Sequence, residues 1–397
     1  MNEEILFASR MKPISGSAIR ELLKLTARQG MISFAGGNPG NFSLPNDEIA
    51  EIAYDLLKRD GKTLLQYGPT KGYDPFIEVL VDYLKEEFSA PVKQEEILPT
   101  SGSAQGIDLI CKAYLNPGDT VLVESPTFLG NIQCLRIFEA NIVAVPSDEN
   151  GIIIEELEKL IQLHHAKMLY TIPDFQNPTG ITLSLARRKA IAAMAAKYRM
   201  LVAEDVPYRS LRYTGEHLPS IKSFDRDGWV VLLGSFSKVI APGLRVGFMA
   251  GNEPLIQKCT ICKQSADVHS PQLNQAIVSE YMRRGLLKPH VLAVCKAYSL
   301  QMTAMLEELD KIEEIVDHTV PEGGLFIFAS IGEGLDVAPL FNLAVQNMVA
   351  FVPGEPFYPE GGHKNTLRLN FTNADVDTIR RGMSILKNCA KETCRLC

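Results

Sequence analysis

The chain has no apolar run long enough to span a bilayer and opens with no charged-then-apolar stretch of the kind that directs secretion, so the expectation is a cytoplasmic protein without a membrane partner. It also lacks any long block of lysine and arginine. With a formal net charge of -7 over 397 residues, that lack argues against nucleic acid as a partner. None of the seven histidines completes a metal-binding spacing with the eight cysteines, and no metal is expected. Cys111, Cys134 and Cys295 are scattered, Cys259 and Cys262 suit a reduced pair on one helix, and Cys389, Cys394 and Cys397 read as a reactive, disordered end. Internal repeats, low-complexity segments and flexible linkers are absent too, which predicts tightly joined domains. What remains is an ordinary globular composition, 46% hydrophobic and 22% charged. The length suits two to three domains, or one large α/β domain with a smaller appendage.

Four units follow one plan of apolar run, polar or proline-rich turn, then helix. The runs at 120–123, 168–172, 200–203 and 230–233 end respectively at Glu124-Ser125-Pro126-Thr127-Phe128, Pro173-Asp174-Phe175-Gln176-Asn177-Pro178-Thr179-Gly180, Glu204-Asp205-Val206-Pro207-Tyr208 and Gly234-Ser235-Phe236-Ser237-Lys238. Strands alternating with helices predict a largely parallel sheet covered on both faces. The polar residues all fall just after strand C-termini, the edge where open α/β sheets bind ligands. Taken singly, Asn177 is also a turn former and Asp205 also a cap. Their coincidence points to one site.

The stretch 234–245 carries the most chemistry. Ser235, Ser237 and Arg245 can hold a phosphate dianion, because hydroxyls rotate to donate and guanidinium gives paired, charge-assisted bonds. Lys238 lies among cationic and apolar neighbours, which disfavour the ammonium form and leave an amine able to attack a carbonyl. The same stretch also fits a surface turn with a solvated lysine. Ser101-Gly102-Ser103-Ala104-Gln105, leading into a helix at 106–114, offers a second anion site or an ordinary helix cap.

Elsewhere, residues 10–30 predict an amphipathic helix through Ile14, Ala18, Ile19, Leu22, Leu23 and Leu25, capped by Ser17 and stopped by Gly30. Gly36-Gly37 permits close backbone approach or a simple turn. Further helices are expected at 46–58, 76–88, 255–266, 272–283, 289–315 and 339–347, and Tyr67 sits in a loop. In the strand at 365–371, alternation puts Leu367, Leu369 and Phe371 on one face and Arg368 on the other, where an exposed edge residue is the plain reading. The expected division is an N-terminal helix and arm at 1–45, a large domain at 46–285 and a small C-terminal α/β domain at 286–397, against which the arm can also pack.

In their order and spacing, Ser-Phe-Ala-Gly-Gly-Asn-Pro, Ser-Gly-Ser-Ala-Gln, Asn-Pro-Thr-Gly, Glu-Asp-Val-Pro-Tyr, Ser-Phe-Ser-Lys, Pro-Gly-Leu-Arg-Val-Gly, Val-Pro-Gly-Glu-Pro-Phe-Tyr and Leu-Arg-Leu-Asn-Phe resemble the fold-type I, class I and II aminotransferases that use pyridoxal 5'-phosphate (PLP). Within them the chain is similar to the branch of 2-aminoadipate, kynurenine and aromatic aminotransferases and the aminotransferase-like domains of MocR regulators. The resemblance implies a large domain with a mostly parallel sheet between helices, a smaller α/β domain, and a homodimer with shared sites. It implies a Schiff base on Lys238, which also shuttles the substrate Cα proton, with Asp205 at the pyridine nitrogen. Asn177 and Tyr208 donate to the phenolate oxygen on this reading, and Phe128 stacks on the ring. Ser103, the Ala104 N–H, Ser235, Ser237 and Arg245 hold the phosphate, and Tyr67 reaches that of the neighbouring subunit. Arg368 clamps the substrate α-carboxylate, assisted by Gly37 and Asn177.

Three positions depart from the family's habit: Ala104 where a polar residue is common, Phe128 where tyrosine is frequent, and Val206 where a second acid often follows the aspartate. The implied activity is transfer of an amino group from an acidic, apolar or aromatic L-amino acid to a 2-oxo acid such as 2-oxoglutarate, by a ping-pong mechanism. Arg20, on the N-terminal helix, is the candidate partner for a distal carboxylate. A β-lyase or a racemase on the same scaffold is the alternative within enzymes. A MocR-like regulator is the alternative outside them, although its winged helix has little room before residue 10.

Overall fold

The computed structural model describes residues 7–11, 14 and 30–394. Its centre is an eight-stranded sheet in the order Ile97–Thr100, Gly247–Ala250, Val230–Ser235, Leu201–Asp205, Met168–Thr171, Thr120–Ser125, Asn141–Asp148, Gly151–Ile152. The run from Val230–Ser235 to Asn141–Asp148 is parallel throughout. Gly247–Ala250 is antiparallel to both of its neighbours, and the short Gly151–Ile152 folds back on Asn141–Asp148.

Burial on both faces explains why the central strands read as continuous apolar runs rather than alternating ones. Successive residues feed two separate cores. Val121, Val123, Met168, Tyr170, Leu201 and Ala203 belong to the larger one. Leu122, Leu169 and Val202 pack in the other, with Leu157 and Ile161 of the helix Ile154–His164 and Ile191 and Ala195 of Leu185–Tyr198.

A four-stranded antiparallel sheet, in the order Ile315–His318, Phe326–Ile331, Thr366–Asn370, Val352–Pro353, lies C-terminal to the long helix Leu287–Leu309. The N-terminal arm joins this part of the molecule, because Ile32–Ser33 pairs in parallel with Val349–Ala350. No described helix is long and apolar enough to cross a membrane.

Several sequence expectations are corrected. The helix placed at 46–58 runs Asn46–Leu64, and the one placed at 106–114 begins three residues earlier, as Ser103–Tyr114. The helix placed at 289–315 stops at Leu309, leaving Ile315 to start a strand. Cys389 is not part of a loose end. It is buried on the helix Val376–Cys394, and burial raises its thiol pKa, the opposite of a reactive cysteine. Cys259 and Cys262 share the helix Glu253–Asp267 as free thiols. Cys397, Arg20 and almost all of the helix expected at 10–30 lie outside the described residues.

Candidate active site

Gly247 sets the geometry of the site. It is the register partner of Thr100 on one side and of Ser235 on the other, so turns 135 residues apart in sequence (235 minus 100) meet across one strand. A Cβ there would lie 2.5 Å from the Gly234 carbonyl oxygen and 2.7 Å from Gly102 Cα, so only glycine lets the two turns close.

Between them is the anion cup. Ser235 Oγ donates to Ser237 Oγ at 3.0 Å and accepts from the Ser237 N–H at 3.2 Å. Arg245, in the left-handed region at φ 52°, reaches Ser237 Oγ at 3.3 Å and the Ser101 carbonyl at 2.8 Å. The helix Ser103–Tyr114 starts beside this fork behind Gly102, and no side chain caps its first N–H groups. Ser103 and Ala104 therefore present backbone donors at the positive end of a helix dipole.

Lys238 follows in the same turn and is not the solvated lysine of the alternative reading. Its Nζ donates to the Gly37 carbonyl at 2.8 Å. Burial, then the charges of Arg245 and Arg368, bring its pKa down to about 8.

Asp205 ends its strand buried, and burial pushes its carboxyl up to about 6, opposed by the Tyr170 and Ser103 hydroxyls. Tyr170 donates to Oδ2 at 2.9 Å, whereas Oδ1 has no protein partner. Beside it, Asn177 Nδ2 donates to the Tyr208 hydroxyl at 3.2 Å, and Asn177 Oδ1 accepts from Arg368 Nη1 at 2.9 Å.

Arg368 is buried on an interior strand, which excludes the exposed-edge reading. It donates to the Ala35 carbonyl at 2.7 Å and lies 4.2 Å and 5.0 Å from the ring centroids of Phe326 and Phe357. Its Nε has no partner, and burial lowers its pKa to about 10.

Phe128 is half-buried at the N-cap of the helix Leu129–Ile137. Tyr67 is not brought to the cup of its own chain. It is 81% exposed, its ring edge-on to His269 at 5.9 Å.

Two supports escaped the sequence reading. Tyr170 was hidden inside an apolar run. The signal was parity, since Tyr170 pairs with Ala203 and Asp205 is two residues on, hence on the same face. The other is Asp174, which accepts from Arg188 at 2.7 Å and from Arg209 at 3.2 Å, and so ties the Asn177 loop to the segment carrying Tyr208. Burial alone would raise its carboxyl, but the two guanidinium groups hold it at about 2.

Chemically, the site offers a weakly basic amine, an anion cup, a carboxylate oxygen awaiting a donor, two donors for an oxyanion and a desolvated guanidinium.

The family model for aminotransferase class I and II matches residues 30–386. An aromatic-amino-acid aminotransferase of Thermococcus litoralis is 38% identical over 99% of this chain and 95% of its own length. The crystal structure of a multiple substrate aminotransferase from Thermococcus profundus superposes with a TM-score of 0.95 at 37% identity, covering 100% of both chains. LysN, an alpha-aminoadipate aminotransferase of Thermus thermophilus solved with N-(5'-phosphopyridoxyl)-L-leucine, superposes with a TM-score of 0.93 at 37% identity, again over 100% of both.

Proposed function

Because this chain belongs to the aminotransferase class I and II family and is a PLP-dependent transaminase, we propose that Lys238 is the residue that bonds the cofactor and that the site works by a ping-pong mechanism. The 2-oxo product of the donor leaves before the acceptor, a 2-oxo acid such as 2-oxoglutarate, enters. The observation that carries this reading is the half-buried Lys238 amine, tied to the Gly37 carbonyl at 2.8 Å, with burial and the charges of Arg245 and Arg368 lowering its pKa to about 8.

The residues present fit the cofactor, since the partnerless Asp205 Oδ1 supplies a buried acceptor that a protonated ring nitrogen would satisfy. When bound, the cofactor supplies an aldehyde carbon that bonds amines and a ring that accepts electron density from the substrate Cα. As the neutral amine, Lys238 would bond that carbon with loss of water, would be freed when the donor's amino group takes its place, and would then hold the substrate Cα proton and deliver it across the nitrogen to the former aldehyde carbon. Asp205 keeps the ring nitrogen protonated, and Tyr170 fixes Oδ2 so that Oδ1 faces it. Asn177 and Tyr208 donate to the phenolate oxygen. Phe128 stacks on the ring. Ser103, the Ala104 N–H, Ser235, Ser237 and Arg245 bind the phosphate. Arg368 binds the substrate α-carboxylate, with Asn177 and Gly37 beside it.

The donor range we assign is acidic, apolar and aromatic, in keeping with the aromatic, multiple-substrate and alpha-aminoadipate relatives. We also assign a cytoplasmic homodimer. Tyr54, Leu57, Leu65 and Tyr67 are 62%, 39%, 71% and 81% exposed within one short stretch, an apolar surface that suits a second copy of this chain. In that dimer Tyr67 serves the partner's cup. We put the division between large and small domains near 285, a reading supported by the break there between the helices Gln272–Arg283 and Leu287–Leu309.

Borohydride reduction of the PLP-loaded enzyme followed by peptide mapping tests the assignment. The label should sit on Lys238 alone. A label on another lysine, or one persisting in Lys238→Ala, overturns it. Product formed from an amino acid without any 2-oxo acid acceptor would mark a β-lyase or a racemase instead.

A further inference from the structure

Behind the cup lies a lysine with no place in the chemistry. Lys263, on the helix Glu253–Asp267, has a side chain 0% exposed to solvent. A buried ammonium is costly unless every donor is met. Here all are: Lys263 Nζ donates to Gln105 Oε1 at 2.9 Å, to Ser270 Oγ at 2.9 Å and to Asp267 Oδ1 and Oδ2 at 3.0 and 2.7 Å. The acceptors are themselves tied together. Gln105 Nε2 donates to Asp267 Oδ2 at 2.6 Å, and Gln275 Nε2 donates to the Ser270 carbonyl at 2.9 Å.

Both acceptors nearest the cup end on one residue. Gln105 Oε1 also accepts the Ser101 N–H at 2.8 Å, and Ser270 Oγ lies 3.4 Å from Ser101 Oγ. Ser101 in turn gives its carbonyl to Arg245 Nη2 at 2.8 Å and opens the turn that delivers the free N–H groups of Ser103 and Ala104. Gly102 takes the left-handed backbone that glycine favours, at φ 84°. A Cβ on Gly102 would come within 2.8 Å of Arg245 Nη2.

We propose that Lys263 is a positioning residue for the phosphate cup: through Gln105 and Ser270 it fixes Ser101, and through Ser101 it sets both the helix N-terminus and the Arg245 fork that hold the cofactor's phosphate. The inference rests on the reading of the cup as the phosphate site. Lys263 touches neither cofactor nor substrate and acts through preorganisation, removing the freedom that binding would otherwise have to freeze. Its contribution is therefore specific to ligands that carry a phosphate.

That specificity supplies the test. Full-length apoenzyme is titrated with PLP and with pyridoxal, which lacks the phosphate, and apoenzyme Tm is recorded alongside. Lys263→Met should raise the Kd for PLP about tenfold or more and leave that for pyridoxal within about twofold, as expected for the loss of one charge-assisted support. Should Lys263→Met not fold, Gln105→Met cuts the link to Ser101 while keeping the Lys263–Asp267 pair, and the same selective loss is expected. An equal loss for both ligands, or no loss for PLP, overturns the proposal and makes Lys263 a pin between helices. Arg245→Ala separates the two readings. Selective loss there with none in the Lys263 and Gln105 variants overturns this inference alone, whereas no selective loss in Arg245→Ala overturns the cup and the inference with it.

Discussion

Arg368 and Asn177, 191 positions apart, are joined by a hydrogen bond of 2.9 Å from Nη1 to Oδ1. Asn177 spends its other end on Tyr208 at 3.2 Å, so one side chain couples the group assigned to the substrate carboxylate with the group assigned to the cofactor's phenolate oxygen. Arg368→Met should lower kcat/KM for every amino donor by about a hundredfold or more, a loss of ~3 kcal/mol, while PLP stays bound. Steady-state kinetics with two donors of different class check this. An effect confined to one donor would place Arg368 at the distal end of the substrate.

Lys238 should make cofactor loading depend on pH. With a pKa near 8, lowered by burial and by Arg245 and Arg368, the neutral amine falls about tenfold for each pH unit below that value. The rate at which apoenzyme takes up PLP should climb through pH 7 and level off above pH ~8. Stopped-flow absorbance across the range measures it. A rate still climbing at pH ~10 would mean an amine that titrates like free lysine.

Asp205 should trade stability for activity. Its carboxyl is raised from 3.8 to about 6 by burial, so the unfolded chain gives up this proton at lower pH than the folded one. The empty enzyme is therefore penalised as pH rises from about 4 through about 6, and stays so above. Asp205→Asn apoenzyme should be more stable than wild type at pH ~7.5 by on the order of 2 kcal/mol, with the difference vanishing near pH ~4. Denaturant titrations at the two pH values test the sign. The loaded variant should turn over far more slowly, because an amide cannot hold the ring proton.

Tyr67 should work across the subunit boundary. Lys238→Ala lacks the amine but has an intact Tyr67, and Tyr67→Phe has the converse. After exchange of subunits from equal amounts, half the dimers are mixed and each carries one complete site, about a quarter of all sites. Activity at limiting PLP should exceed the mean of the parents. Activity equal to that mean would keep Tyr67 within its own chain.

The Lys238 stretch was legible in the sequence because its chemistry is local: hydroxyls, amine and guanidinium lie within eleven residues, and strand-then-turn placement follows from one apolar run. Alternation marked Arg368, but only the neighbouring strands Phe326–Ile331 and Val352–Pro353 decide that it is buried. Lys263 looked like any helical lysine. Its partner Gln105 is 158 residues away, and the contact exists only because the helices Glu253–Asp267 and Ser103–Tyr114 pack side by side. Cys389 misled through its nearness to the chain's end, whereas the amphipathic helix Val376–Cys394 turns it inward.

The arm at 32–38 is laced to the C-terminal sheet at nearly every step. Phe34 N–H donates to Ala350 at 2.7 Å, Asn370 N–H donates to Phe34 at 2.8 Å, Asn370 Nδ2 donates to the Gly36 carbonyl at 2.5 Å, and Arg368 holds Ala35. Mechanically, these residues form one jaw. Any swing of the small sheet against the large one carries Arg368, Ala35 and Gly37 together, so the grip on a carboxylate keeps its shape while its distance from Lys238 changes. The Lys238–Gly37 hydrogen bond spans that gap while the amine is free, so loading the cofactor onto Lys238 would withdraw this tie and displacement of Lys238 by a donor amine would make it available again.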